Sequence, residues 1–332
     1  MGIVIAGYYG FGNAGDELIL WSLIGRFKRE DANATITVLS KTPKQTHHDF
    51  GVQAVDRWRP WTWMVPLLRA KRFVLGGGGL LQETSGPWNH LYYLSLFVVA
   101  KLFGCRTEVM AIGVDPIWRP FNRFWTRWVF HHWTDDLSVR DEESRRALAA
   151  CGVQRAISIE ADPVSELKVE RSSHPTERIA IALSPSLADT DRVHDVAALC
   201  NRITEQLSCA IDFLVFFPAE DEAMAHHIAG ETSAANRVRV WSDPRDLLSW
   251  IPEYSCVVAT RFHALVLAAA SGVPFIGWGE QKKVESFCYT HHKPYTNTAR
   301  QWDEETLLAQ IAGLYRARMK SVYSPHELID LA

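Results

Sequence analysis

Residues 256–287 read CVVATRFHALVLAAASGVPFIGWGEQKKVESF, and the rest of the chain is read outward from them. Cys256-Val257-Val258-Ala259 is a continuous apolar run of the kind buried on both faces of a parallel sheet. The run breaks at Thr260-Arg261-Phe262-His263, and a small-residue helix follows over 264–271. Gly272-Val273-Pro274 then turns the chain into a second buried strand, Phe275-Ile276-Gly277. Strand, helix and strand make a βαβ unit, and the carboxyl ends of such strands open on the crevice where α/β sheets bind ligands. Arg261 and His263 stand at that end, at a helix N-terminus that already favours anions. Lys282 and Lys283 follow the next strand on the same edge. A guanidinium, an imidazole and ammonium groups converging there predict an anion site that contains a titratable group.

The same alternation covers both halves of the chain. After a polar segment at 170–178 (ERSSHPTER), strand patterns at 179–183, 211–217 and 238–241 alternate with helical ones at 193–207, 220–229 and 244–251. A last helix covers 304–319. Upstream, strands at 3–6, 35–39, 72–75, 107–113 and 136–140 alternate with helices at 18–28, 90–103 and 122–133. Each half predicts a parallel sheet. The expected fold is α/β, with a Rossmann-like domain over 1–168, a linker over 169–178, a second Rossmann-like domain over 179–318 and a tail over 319–332.

Two glycine-rich turns follow strands in the N-terminal half. In Gly7-Tyr8-Tyr9-Gly10-Phe11-Gly12-Asn13-Ala14-Gly15-Asp16-Glu17, the glycines at 10, 12 and 15 spell GxGxxG between a strand and a helix. The second strand ends in Ser40-Lys41, not in the acid that would hold a ribose diol, which counts against NAD. Two readings stay open: glycines that only let strand, turn and helix pack closely, or a loop that shapes a substrate pocket. The second turn, Gly76-Gly77-Gly78-Gly79, permits positive φ and offers successive backbone N–H groups to an anion. Arg140 closes another strand, where a cation opposes the dipole of the helix that follows. Pairing with Asp141 or Glu142 is one reading of it, and a wall of the anion site is the other.

Composition narrows the classes. The 332 residues carry 35 basic and 38 acidic side chains, a net charge of -3 that argues against a nucleic-acid binder. Six cysteines without CxxC spacing predict buried free thiols, a reducing compartment and no structural zinc. His226-His227 and His291-His292 are expected in packing or on surfaces, since adjacent helix residues do not face one another, so no metal is placed. Met1-Gly2-Ile3-Val4 enters a strand with no basic lead, and the longest apolar run, 91–100, is too short to span a bilayer. A cytoplasmic protein is expected, soluble or peripheral on the cytoplasmic face of the membrane. The tryptophans are bunched with arginines at 57–63 and 118–128. Phe121, Phe124, Trp125 and Trp128 share one helical face, and Arg119, Arg123 and Arg127 line a neighbouring one. An amphipathic helix docked on the core with its arginines in water accounts for this. Contact of Trp118 to Trp128 with an anionic membrane or a lipid diphosphate is the functional alternative.

Five motifs in order resemble the polysaccharide pyruvyl transferase family, in its cell-wall-associated bacterial branch, over nearly the whole chain. They are the Gly7 to Glu17 run, the Gly76 to Gln82 loop, Ser138-Val139-Arg140-Asp141-Glu142-x-Ser144, Ala161-Asp162-Pro163, and Arg261-Phe262-His263 followed by Lys283. One departure is Ala111-Ile112-Gly113-Val114-Asp115-Pro116-Ile117, where the family tends to read Gly-x-Gly-Pro-Ile. The resemblance implies two Rossmann-like domains facing a central cleft, as in glycosyltransferase-B enzymes. It also implies transfer of a pyruvyl group from phosphoenolpyruvate onto two hydroxyls of a sugar, making a cyclic ketal. The acceptor would be a cell-wall or surface polysaccharide or its lipid-diphosphate-linked precursor, with no cofactor besides the donor.

On that basis Arg140, Arg261 and Lys283, with the backbone of Gly77 and Gly78, are expected to bind the donor's carboxylate and phosphate. His263 is the expected general acid and base, with Arg261 or Lys283 on the leaving phosphate. Gly12, Asn13, Asp16 and Glu17 are expected on the acceptor side. A nucleotide-sugar glycosyltransferase of the same fold would instead set Glu280 or Glu285 on a ribose diol. A non-catalytic lipid-linked-glycan binding module would need no titratable His263.

Overall fold

The structure, a computed structural model, describes residues 1–83, 86–185, 190–233, 236–298 and 303–323, so most of the expected tail lies outside it. The chain divides into two compact units, Met1–Glu166 and Leu167–Ala332.

The first unit runs β1 (Gly2–Ala6), α1 (Ala14–Glu30), β2 (Thr35–Ser40), α2 (Pro43–Phe50), β3 (Gln53–Asp56), α3 (Pro60–Arg69), β4 (Arg72–Gly76) and β5 (Gly79–Leu81). It continues with α4 (Pro87–Leu102), β6 (Arg106–Val114), α5 (Pro120–His132), β7 (Asp136–Val139), α6 (Glu142–Ala150) and β8 (Ser158–Ile159). The strands are parallel in the order β3-β2-β1-β4-β6-β7-β8, with β5 paired to β6. Ile3, Val4, Ile5 and Ala6 of β1 and Phe73, Val74 and Leu75 of β4 are all buried, because both faces of the sheet carry helices. The strand order reverses between β1 and β4, which makes the loops after those two strands the switch point. Right-handed crossovers set α3, α4 and α5 side by side on one face. One core joins them there through Trp63 and Leu67, Tyr93 and Phe97, and Val129 and Phe130.

Several elements of this unit depart from the apolar pattern. The Asn13 side chain accepts from the Gly15 N–H at 3.1 Å, so α1 starts at Ala14 and not at 18. Between β2 and β4 lie α2, β3 and α3, which no periodicity announces. Pro43 and Pro60 start the two helices. α3 has no polar face to give it away, since it buries Trp63 and Leu67 yet exposes Trp61, Met64, Val65 and Leu68.

The expectation that α5 docks its aromatic face on the core needs correction. Trp125 and Trp128 do pack there, but Asn122, Thr126, Val129 and Phe130 are the buried residues, while Phe121 and Phe124 stand 60% exposed. Polar bonding sets that rotation. The buried Glu83 carboxylate accepts from the Trp118 and Arg119 backbone N–H groups (3.0 and 3.1 Å) and from Asn122 Nδ2 (2.5 Å). The hydroxyl of Thr126 pairs with His90 Nε2 at 2.7 Å. Burial pushes the His90 imidazole down to about 4, so it sits there neutral.

The second unit runs β9 (Arg178–Ala182), α7 (Thr190–Leu207), β10 (Ala210–Val215), α8 (Pro218–Glu231), β11 (Asn236–Val240), α9 (Asp246–Trp250) and β12 (Cys256–Ala259). It ends with α10 (Phe262–Ser271), β13 (Phe275–Gly279), α11 (Lys282–Thr290), β14 (Tyr295–Asn297) and α12 (Glu304–Tyr323). This sheet is also parallel, ordered β11-β10-β9-β12-β13-β14, and its switch point lies between β9 and β12. Asp212 of β10, fully buried, is held by Arg178 and Arg237 (each Nε at 2.8 Å) and by the Tyr254 hydroxyl (2.6 Å). α12 closes the core on α7 through Leu307 and Ile311, with Arg202 bonded to Glu304 at 2.8 Å. All six cysteines are free and buried, as their spacing predicted.

Candidate active site

In the first unit the two glycine turns follow the two strands that flank the switch point, and they touch. The buried Tyr9 hydroxyl donates to the Gly76 carbonyl at 2.5 Å. Gly78 has φ +76°, and a Cβ there would lie 2.6 Å from Asp16 Oδ1, so the Asp16 carboxylate sits directly on the second turn. The Gly78 carbonyl accepts from the Gly113 N–H at 2.8 Å. Gly113 in turn lies under Arg140, whose Nη2 would be 2.5 Å from a Cβ on it. Asp16, Gly77, Gly78, Gly113 and Arg140 thus gather on one edge of this sheet. Alanine at Gly78 is expected to cost about 1–3 kcal/mol, read from urea unfolding. Gly12 is the control: its φ is +81°, but a Cβ would meet nothing within 4 Å, so alanine there should cost less.

Much of the anion-binding capacity foreseen in these turns is already used internally. The Gly77 N–H donates to the Met110 carbonyl at 2.8 Å. The Gly10 N–H donates to Glu17 Oε1 at 2.8 Å, and Asn13 is occupied in capping α1. Asp16 and Glu17, both nearly buried, occupy the first turn of α1, where a dinucleotide would place its pyrophosphate. Two carboxylates at that pole disfavour NAD more firmly than the missing ribose acid did. Burial raises the Glu17 carboxyl, and although the Gly10 N–H pulls it back, it comes to about 7.

Sequence reasoning missed the aromatic part of this turn. Tyr8 and Phe11 stack with ring centroids 3.9 Å apart and planes 8° from parallel, and Lys41 Nζ lies 4.8 Å over Phe11. Buried Arg57 reaches the same ring at 5.1 Å and donates to the Gly7 carbonyl at 2.8 Å. The two aromatics stood in the quoted turn and were legible as a stacking surface. Nothing local marks Arg57, which arrives from the far end of β3.

In the second unit the candidate residues occupy the carboxyl edge at its own switch point. Thr260, the residue after β12, accepts the Ser184 N–H at 2.6 Å and bonds the Ser184 hydroxyl at 2.9 Å, which ties the loops after β9 and β12 together. A Cβ on Gly279, at the end of β13, would lie 3.4 Å from the Thr260 side chain. Arg261 is the residue before α10, and His263 is in its first turn, half-buried with its ring edge-on to Phe262 at 5.3 Å. Lys282 and Lys283 open α11, and Phe262 touches Phe287 of that helix at 5.3 Å. Arg261, His263 and Lys283 therefore lie on neighbouring helix starts along one edge.

Arg261 is not an open cation. Its Nε bonds Asp221 Oδ2 at 3.1 Å, its Nη2 bonds Glu220 Oε2 at 2.9 Å and also the second Asp221 oxygen, and Asp221 is itself buried. Burial alone would lower this guanidinium, but the bonds to Asp221 and Glu220 outweigh it and hold it above its ordinary value. In the first unit Arg140 is similar, only 6% exposed and 3.2 Å from Asp141 Oδ2. Glu280 pairs with Arg192 at 3.2 Å.

Among the described residues no three His, Cys, Asp or Glu side chains group as a metal would need. His227 pairs with Glu231 at 3.2 Å, and the His291 ring lies 4.0 Å from that of Phe287. A cavity of about 650 Å³ is lined by Arg72, Arg106, Glu108 and Asp136 at the amino ends of β4, β6 and β7. Its charges pair with one another, Arg72 with Glu108 and Arg106 with Asp136. That is the wrong edge of the sheet for a substrate site, so the switch-point loops keep the assignment.

Two parallel-sheet α/β units with loops gathered at their switch points have the make-up of the glycosyltransferase-B fold class. The family model for polysaccharide pyruvyl transferase matches residues 13–279. The chain belongs to that family and is a transferase of polysaccharide biosynthesis. Solved structures show the fold. The UDP-GlcNAc 2-epimerase of Methanocaldococcus jannaschii is similar at a TM-score of 0.58 and 11% identity, over 94% of this chain and 92% of that one. The UDP-GlcNAc 2-epimerase of Neisseria meningitidis bound to UDP-GlcNAc is similar at 0.57 and 6%, over 98% and 94%. The ADP-heptose LPS heptosyltransferase II of E. coli gives 0.51 and 14%, over 96% and 100%. No curated protein matches the chain in sequence.

Proposed function

We propose that the protein transfers the pyruvyl group of phosphoenolpyruvate onto two hydroxyls of a sugar in a cell-wall or surface polysaccharide, or in its lipid-linked precursor, as a cyclic ketal. The observation that carries this reading is the alignment of Arg261, His263 and Lys283 on neighbouring helix starts along the carboxyl edge of the second sheet, in a chain of this family. In the reaction one hydroxyl oxygen adds to C2 of the donor while C3 takes a proton and becomes a methyl group. The C2–O bond to phosphate then breaks, the second hydroxyl adds, and the other hydroxyl proton leaves with inorganic phosphate. Carbon is neither oxidised nor reduced overall, so the reaction calls for no redox cofactor. His263 delivers the proton to C3 or receives one from a hydroxyl, Lys283 meets the phosphate, and Arg261 meets a donor oxygen on the side its carboxylates leave open. The acceptor side falls to the first unit, where the Tyr8–Phe11 stack offers a face to a sugar ring and Asp16 an oxygen to its hydroxyls.

Thermal unfolding with phosphoenolpyruvate, with UDP-GlcNAc as control, tests this. A ligand at about 100 times its Kd adds about 2.7 kcal/mol to the folded state, a readily measured rise in Tm. The rise is expected with phosphoenolpyruvate, lost in Lys283→Gln and kept in His263→Gln, whose turnover falls about a hundredfold. A rise with UDP-GlcNAc and none with phosphoenolpyruvate would replace the reading with nucleotide-sugar transfer. A His263→Gln variant with full turnover would remove the histidine from the chemistry.

A further inference from the structure

Three neighbouring helices of the first unit share a surface that the candidate site does not use. α3, α4 and α5 are joined on their inner sides by one core, yet their outer sides leave large apolar residues in solvent. Trp61 is 69% exposed, Leu68 59%, Trp88 79%, Trp118 56%, and Phe121 and Phe124 60% each. On α3 the exposed positions 61, 64, 65 and 68 form a single stripe along the helix. Ordinary surfaces scatter such residues singly, and a contiguous set marks an interaction site.

Charge on the same segments is one-sided. Residues 57–71, 86–103 and 117–133 contain no Asp or Glu, although the chain has 38, and they hold eight of its 13 Trp. Arg69, Arg119, Arg123 and Arg127 stand exposed among them. Among the described residues no helix is long and apolar enough to cross a membrane. A face of aromatics and arginines on three packed helices is suited instead to lying in a headgroup layer.

We propose that the α3–α4–α5 face docks the protein on an anionic lipid bilayer. Trp61, Leu68, Trp88, Phe121 and Phe124 enter the interface, and the arginines meet lipid phosphates. Charge complementarity selects this occupant. A second copy pressed onto the same face would set arginine against arginine, with no carboxylate from these three segments to answer. An uncharged groove would bury the aromatics but leave the arginines unanswered. A bilayer containing acidic lipids satisfies both parts of the surface at once.

The full chain is sedimented with phosphatidylcholine vesicles with and without phosphatidylglycerol. Binding is expected only to the anionic vesicles and should weaken as salt rises. The double substitutions Trp61→Ser with Leu68→Ser, and Phe121→Ser with Phe124→Ser, remove exposed side chains and leave the core intact. Each pair is expected to weaken partitioning roughly tenfold or more, and Arg119→Ser with Arg127→Ser to weaken its salt dependence. Unchanged thermal unfolding of the variants shows that they fold. No binding to anionic vesicles, or binding that all three pairs leave intact, overturns the proposal. So does a dimer in sedimentation equilibrium that the apolar pairs abolish, which would make the face a self-association surface. Vesicle binding and pyruvyl transfer are read by separate assays, so either can fail without the other.

Discussion

Replacing Arg261 with alanine is expected to destabilise the protein by about 3 kcal/mol, the low end for removing one partner of a buried ion pair. The reason is what it leaves behind. Asp221 is 1% exposed and holds the Phe217 N–H at 2.9 Å, so its carboxylate cannot turn to water when the guanidinium goes. Glu220 is half in solvent and loses little, which keeps the figure from rising further. The measurement is urea unfolding of Arg261→Ala, Asp221→Ala and the double variant. The double variant is expected to be far less destabilised than the sum of the singles, because neither charge is then stranded. Additive losses would mean the pair is not coupled, and an unchanged Arg261→Ala would make the arginine a ligand clamp alone. The same structure explains why Lys283→Gln, not Arg261→Ala, is the cleaner test of donor binding: Arg261 helps to hold the edge on which the donor would sit.

Glu17→Gln is expected to stabilise the protein at pH 8 by about 3 kcal/mol. The ordinary value of a glutamate is 4.5, and burial under the first glycine turn brings this one to about 7. Between those values the folded chain holds the proton and the unfolded chain releases it. The stability this group contributes is present in full below about 4.5, is lost as pH rises through the folded value, and is constant above it. Glutamine keeps an oxygen for the Gly10 N–H, which now donates to Glu17 at 2.8 Å, and carries no charge to bury. Melting of the native chain should therefore fall across that interval, while Glu17→Gln stays nearly flat. Parallel curves for the two would show that Glu17 does not titrate there. Loss of turnover in the more stable variant would show that the carboxylate also serves the acceptor.

The parts of the fold that were legible are those where one strand's sequence suffices. β1, β4, β9, β12 and β13 are short, almost wholly apolar runs closed by Gly, Thr-Arg or Pro-flanked turns, and a strand buried on both faces has to look like that. Once those strands are parallel, the residues at their carboxyl ends are candidates by topology, which is why Asp16, Arg140, Arg261, His263 and Lys283 could be named early. Strand order was not legible, and the partners that depend on it were missed. Asp221 and Arg261 lie 40 residues apart and meet only because β10 and β12 both flank β9. Glu17 looked like a dipole-complementing acid in a first helical turn, and nothing local says that its carboxylate folds back under Gly10. α3 escaped because a helix apolar on both sides has no period to detect; α5 was read as a helix, but its buried face was missed because a buried glutamate, not its aromatic stripe, sets its rotation.

The six buried thiols give the molecule an internal clock. Burial pushes them all upward, Cys209 and Cys288 to about 11 and Cys256 to about 12, so none is a thiolate while its surroundings stay closed. An alkylating reagent can therefore mark each one only during an opening. Cys105 and Cys151 belong to the first unit and Cys200, Cys209, Cys256 and Cys288 to the second, so their labelling times separate the breathing of the two units. Added phosphoenolpyruvate should slow the second set and leave the first untouched if its cations lie where Arg261 and Lys283 stand.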